Sequence, residues 1–321
     1  MTGRMFRRPL LSAVALLGLL LASCGGGTTV GALVPLRFIS LGDGMSDVGQ
    51  KGSSAKYSVN DGTVTTWVDQ IVSSYGVTDP VTPSSSGGMG FAQGNVRINI
   101  SPDAAGNTAT LTITQQADAL LASGPISSRD VILINGGVGD IVAEMSAVLA
   151  GAQTEAQMVA NLKGLGKAYG KQVRRLVEAG AKHIVVVGAF DLGRSPWAAA
   201  IDKVAVLTNA SIEFDTAFVV SIVDLGNQVL YVDLANFVNA YALSPTTYGF
   251  TNGTNAACTS VDPGPGIGIG VNQVNASLCS ATTVVAGADY NTYVFADALH
   301  FTPALQRAFG VIAYSRLAAR W

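Results

Sequence analysis

Two histidines occur in the 321 residues, and one follows an aspartate by three places in Asp297-Ala298-Leu299-His300. On a turn, that spacing lets a carboxylate lie against an imidazole and fix its tautomer. The ring then becomes a base able to take a proton from a hydroxyl or from water. A purely local reading ends a strand at Asp297 and lets His300 cover the start of a last helix. Thr302 before Pro303 reads as an N-cap and N1 pair. His183 differs, because it opens the apolar run His183-Ile184-Val185-Val186-Val187 after Gly180 and Lys182. Core packing is the role that fits it.

Acyl transfer at such a base also needs a nucleophile and hydrogen-bond donors for the oxyanion. Three segments carry candidates. Leu41-Gly42-Asp43-Gly44-Met45-Ser46-Asp47-Val48-Gly49 follows a mostly apolar run. Gly87-Gly88-Met89-Gly90-Phe91-Ala92-Gln93-Gly94-Asn95-Val96-Arg97 comes next, and Ile134-Asn135-Gly136-Gly137-Val138-Gly139-Asp140 is the third. With Asp297 and His300, these segments resemble, in order and spacing, the four blocks of the GDSL, or SGNH, family of lipases and acylhydrolases. Tyr248-Gly249-Phe250-Thr251-Asn252 before a cysteine-bounded loop is similar to the larger bacterial esterase branch.

The resemblance implies an ester hydrolase with His300 as base and Asp297 as its orienting acid. It also shows where this chain departs. Gly44 stands at the serine nucleophile and has no hydroxyl. Ser46 is the nearest replacement, displaced by up to about 7 Å of chain, and a helix-start role suits it better. Gly94 would give its backbone N–H to the oxyanion, within one residue of alignment. Gly90 and Gly139 each replace an asparagine, and the one lost at Gly139 is the side-chain oxyanion donor. Such a loss typically lowers the rate about 10²–10³-fold. Asn135 lies too far back on its strand to substitute.

The elements that must hold these groups are legible as alternating patterns. Leu36–Leu41, Val131–Ile134, His183–Val187 and Val229–Val232 read as strands, the last three buried on both faces. Thr65–Tyr75 before Gly76, Glu155–Ala179 before Gly180, Ala205–Leu225 and Pro303–Leu317 read as helices. Strands alternating with helices predict α/β topology, a three-layer αβα sandwich on a central parallel sheet. This is the flavodoxin-like arrangement the resemblance also implies. Ligands in such sheets lie outside the carboxyl ends of the strands, where Gly42–Ser46 falls.

Between Tyr248 and Tyr290 the pattern breaks. Pro263-Gly264-Pro265-Gly266-Ile267-Gly268-Ile269-Gly270 makes a regular helix improbable. It lacks the strand, helix and lysine of a phosphate-binding loop, so nucleotide binding is not expected. Cys258 and Cys279 are expected to form a disulfide around it in an oxidising compartment. That would close a segment of about 22 residues and add about 3 kcal/mol of stability.

The N-terminus supplies the compartment. Arg4, Arg7 and Arg8 precede the apolar stretch Leu10–Ala22, too short for a convincing span, and residues 1–23 read as an export signal. Leu21-Ala22-Ser23-Cys24 resembles a lipoprotein processing site, which implies lipidation of Cys24. Residues 24–35 form a glycine-rich tether and 36–321 one folded domain. Gly25 after Cys24 favours the outer membrane of a bacterial envelope. Losing three arginines takes the formal charge from −2 to −5, which argues against nucleic acid as a partner. The expected partners are an acyl ester, lipid or glycan ligand and, through the N-terminal lipid, a membrane. No metal or other cofactor is implied. The alternative to a hydrolase is a binding protein on the same fold that holds such a ligand without cleaving it.

Overall fold

A computed structural model describes residues 32–321, within which one compact unit runs from Val34 to Arg320. The expected export signal, Cys24 and the expected tether up to residue 31 lie outside the described residues.

Four parallel strands form the central sheet: β1 (Arg37–Leu41), β2 (Asp130–Asn135), β3 (His183–Val187) and β4 (Val229–Tyr231), in the order β1-β2-β3-β4. Leu41 is level with Ile134, Asn135 with Val187, and Val186 with Tyr231. The register therefore brings the carboxyl ends of the strands to one edge. Every residue of β2 is buried, as its unbroken apolar run requires of a strand covered on both faces.

The helices are α1 (Trp67–Ser74), α2 (Ile113–Ala122), α3 (Val138–Leu149), α4 (Glu155–Glu178), α5 (Pro196–Ala200), α6 (Val204–Ile222), α7 (Leu234–Leu243) and α8 (Pro303–Arg320). Thr66 starts α1 by accepting the Asp69 N–H at 3.0 Å. Gly76, at φ 73°, ends it in the left-handed conformation that an L side chain resists. Thr302 caps α8 by accepting the Leu305 N–H at 3.4 Å. Helix α1 packs on α8, with the Trp67 and Phe309 rings 5.6 Å apart.

On α4, Gly166 lets the backbone of α6 come close, for a Cβ there would run into the Phe214 carbonyl. The Tyr169 ring fills the contact beside it, 4.5 Å from Phe218. By length and composition the stretch Val204–Leu225 could cross a membrane, yet Leu207, Phe214, Phe218 and Ile222 are buried in the protein. Asp215 is buried among them and accepts the Ala189 N–H at 2.9 Å. Burial pushes its carboxyl pKa well up.

The region that breaks the helix–strand alternation contains short strands and turns. Strand β5 (Asn252–Ala256) pairs in parallel with β8 (Tyr293–Phe295), and β6 (Val261–Asp262) pairs antiparallel with β7 (Gln273–Val274). Cys258 and Cys279 are joined by a disulfide.

Candidate active site

A pocket opens at the carboxyl edge of the sheet. Gly44 follows β1, Asn135 ends β2, Phe190 follows β3, Leu234 follows β4 and His300 follows β8, and all five line it. His183 sits at the amino end of β3, beside Val131 in β2, at the opposite end of the strands.

The turn after β8 builds the base. Asp297 is fully buried, and its Oδ1 accepts the N–H groups of Leu299 at 2.8 Å and His300 at 2.7 Å. The His300 Nδ1 lies 3.0 and 2.9 Å from the two carboxylate oxygens. A carboxylate can only accept, so Nδ1 carries the proton and Nε2 faces the pocket as the acceptor of a neutral ring. Burial pulls the His300 pKa down, but the Asp297 carboxylate, aided by Asp43, more than reverses this. Burial likewise raises the Asp297 carboxyl, and the imidazole with the two turn N–H groups outweighs it, leaving it below the usual carboxylate range.

Position 44 lies opposite that base. A Cβ built on Gly44 would lie 3.2 Å from His300 Nε2, but also 2.9 Å from Tyr57 Cγ. Tyr57 is 2% exposed and its ring lies 4.9 Å from the imidazole. The aromatic side chain thus crowds the space a serine would need, and among the described residues none that lines the pocket carries a hydroxyl or thiol. Ser46 does not replace the serine. Its hydroxyl is buried against Trp67, accepting the indole N–H at 2.9 Å, away from the pocket.

Asp43 is held by Asn135, whose Oδ1 accepts the Asp43 N–H at 3.2 Å and whose amide donates to Asp43 Oδ1. Asn135 lines the pocket, but both its amide atoms are engaged by Asp43. The other carboxylate oxygen of Asp43 is buried without a partner. Burial pushes that carboxyl's pKa up against the pull of Asn135, Met45 and His300. Gly42, at φ 119°, is required here, since a Cβ would strike the Asn135 backbone oxygen.

The oxyanion donors differ from the expected pair. The Gly94 N–H is given to Asp47 Oδ2 at 3.1 Å, inside the protein, and the Tyr57 ring lies against its α-carbon. Gly94 thus acts as a packing glycine whose donor is engaged elsewhere. Gly139 does line the pocket, but a side chain at 139 would run into the Val96 carbonyl, so the lost asparagine has no room. What remains there is backbone. The N–H groups of Val138 and Gly139 precede the first bond of α3, which Ile141 makes to the Gly137 oxygen at 3.0 Å.

Sequence reasoning missed Asn95. Its backbone is left-handed at φ 67°, the residue lines the pocket, and its Oδ1 is buried without a partner. The signal was Asn95 directly after Gly94, where the second block of the resembled family carries a second glycine.

A buried aspartate paired with a partly buried histidine at the carboxyl edge of a parallel sheet, facing a turn that follows the first strand, defines an α/β hydrolytic scaffold. The GDSL-like lipase/acylhydrolase family model matches residues 38–311, and the chain belongs to that family. Its α/β architecture is the family's three-layer arrangement. No curated protein matches the chain.

Proposed function

We propose that this chain is an envelope lipoprotein of the acylhydrolase family that binds an acyl ester or its acid without forming an acyl-enzyme. One observation carries the reading: Gly44 faces His300 with Tyr57 crowding the missing hydroxymethyl group. The polar groups that would meet a carbonyl or carboxyl are His300 Nε2, the first-turn N–H groups of α3 and the Asn95 side chain. Met45, Val142, Phe190, Leu234 and Leu299 supply apolar walls for the chain. This lining favours an acyl group over a glycan, whose hydroxyls would be left without partners. The N-terminal sequence supports the envelope location.

The test uses the full chain in detergent. Straight-chain carboxylic acids should bind, by calorimetry, while a fluorophosphonate should leave no covalent adduct by mass spectrometry. Gly44→Ser combined with Tyr57→Ala should acquire an adduct at position 44, because that pair of changes supplies the hydroxyl and its space. A burst of one p-nitrophenol per parent chain, lost in His300→Ala, would sink the proposal.

A further inference from the structure

The Pro-Gly run singled out in the sequence has a place in the pocket. Ile267, from its centre, is 4% exposed and lines the same cavity as His300. The residues around it fix that placement. Gly268 lies on the Val274 carbonyl so closely that no Cβ fits, and a Cβ on Gly266 would meet the Asp262 carboxylate. Asp262 in turn accepts the Gly264 N–H and the Asn275 side-chain amide, each at 2.8 Å. The ribbon β6–β7 and these bonds hold the tip in one conformation.

Both ends of the segment are fastened to the strand that carries the base. The Cys258 N–H donates to the Ala296 oxygen at 2.8 Å, one residue before Asp297. At the other end, the Ala276 N–H donates to Asp297 Oδ2 at 2.8 Å. The two cysteines pack with Val59, Ala276 and Ala296 in a small buried cluster. The disulfide thus closes a strap that starts and finishes beside Asp297 and reaches across to place an isoleucine in the pocket.

We propose that Cys258–Cys279 is a strap closing one end of the pocket, and that Ile267 at its tip sets the length of apolar chain the pocket accepts. This rests on the acyl-binding reading above. A branched side chain held on both sides by glycines that cannot be replaced leaves a growing chain nowhere to go, and each methylene pressed against it loses its contact. One methylene gained or lost in an apolar pocket is worth about tenfold or more.

The test is a binding series of straight-chain carboxylic acids of increasing length, by calorimetry on the full chain. Ile267→Ala should improve the longest acids about tenfold or more and change the shortest little. Ile267→Trp should restrict binding to the shortest. Gly268→Ala, which moves the tip without altering the lining chemistry, and Cys258→Ser with Cys279→Ser should both broaden the profile. Circular dichroism and binding of the shortest acid confirm that each variant is folded. The same length profile in parent, Ile267→Ala and Ile267→Trp would overturn the strap while leaving acyl binding intact. Binding by Ile267→Ala but not by the parent would support the strap as a plug. Binding by neither would overturn both readings.

Discussion

The Asp297–His300 pair illustrates how a buried carboxylate can raise a histidine pKa that burial alone would lower. A histidine whose folded pKa is raised stabilises the protein fully below its ordinary value of about 6.5, and that contribution is lost as pH rises through the folded value. The ring faces Asp297, Asp43 and Tyr57, and the two carboxylates favour its charged form. His300→Gln should therefore destabilise the protein more at about pH 6 than at about pH 9, measured by urea unfolding at both. Equal losses would show that packing alone is at stake. This pair was legible because its two members lie on one turn and the spacing is the geometry. Tyr57 and Asn95 were not, because nothing local says that a tyrosine thirteen places after Gly44 folds back over it, or that Asn95 turns into the pocket.

Elements were legible where one pattern ran unbroken. The four strands and α6 show apolar runs, and the helices α1, α4 and α8 show amphipathic periods behind a capping threonine. Helix α3 was hidden, since Gly136-Gly137-Val138-Gly139 reads as a chain breaker. Those glycines are there because Phe214, Ile113 and the Val96 carbonyl leave no space for side chains. Glycine means something else again within α4. Gly166 is pressed against α6, while an added Cβ at exposed Gly164 meets nothing. Gly164→Ala should stabilise the protein by up to about 1 kcal/mol through helix propensity. Gly166→Ala should destabilise it by about 1–3 kcal/mol through overpacking. Thermal unfolding distinguishes them by sign, and a gain at both positions would refute the close contact.

The whole molecule places its chemistry where parallel sheets generally do, outside the carboxyl ends of the strands. That location followed from the position of Gly42–Ser46 after β1. The strand order did not follow, and neither did the destination of the Pro-Gly segment, because both depend on contacts distant in sequence. The disulfide was expected from cysteine count and compartment, and the two sulfurs are joined.

Helix α6 carries a consequence beyond the folded state. On the envelope location proposed above, the chain leaves the cytoplasm unfolded, through a channel that sorts segments by hydropathy before any tertiary contact exists. By length and composition alone, Val204–Leu225 could cross a membrane at that stage. Asp215 stands near its middle, and an aspartate at a helix centre opposes insertion by about 2.5–3.5 kcal/mol. In the folded protein burial pushes its carboxyl pKa well up, although it accepts the Ala189 N–H at 2.9 Å. Asp215→Leu should shift the exported chain into the inner-membrane fraction, read by membrane fractionation, and an unchanged distribution would refute this. On that envelope location, the Asp215 carboxylate would act before the fold exists and be carried inside it afterwards.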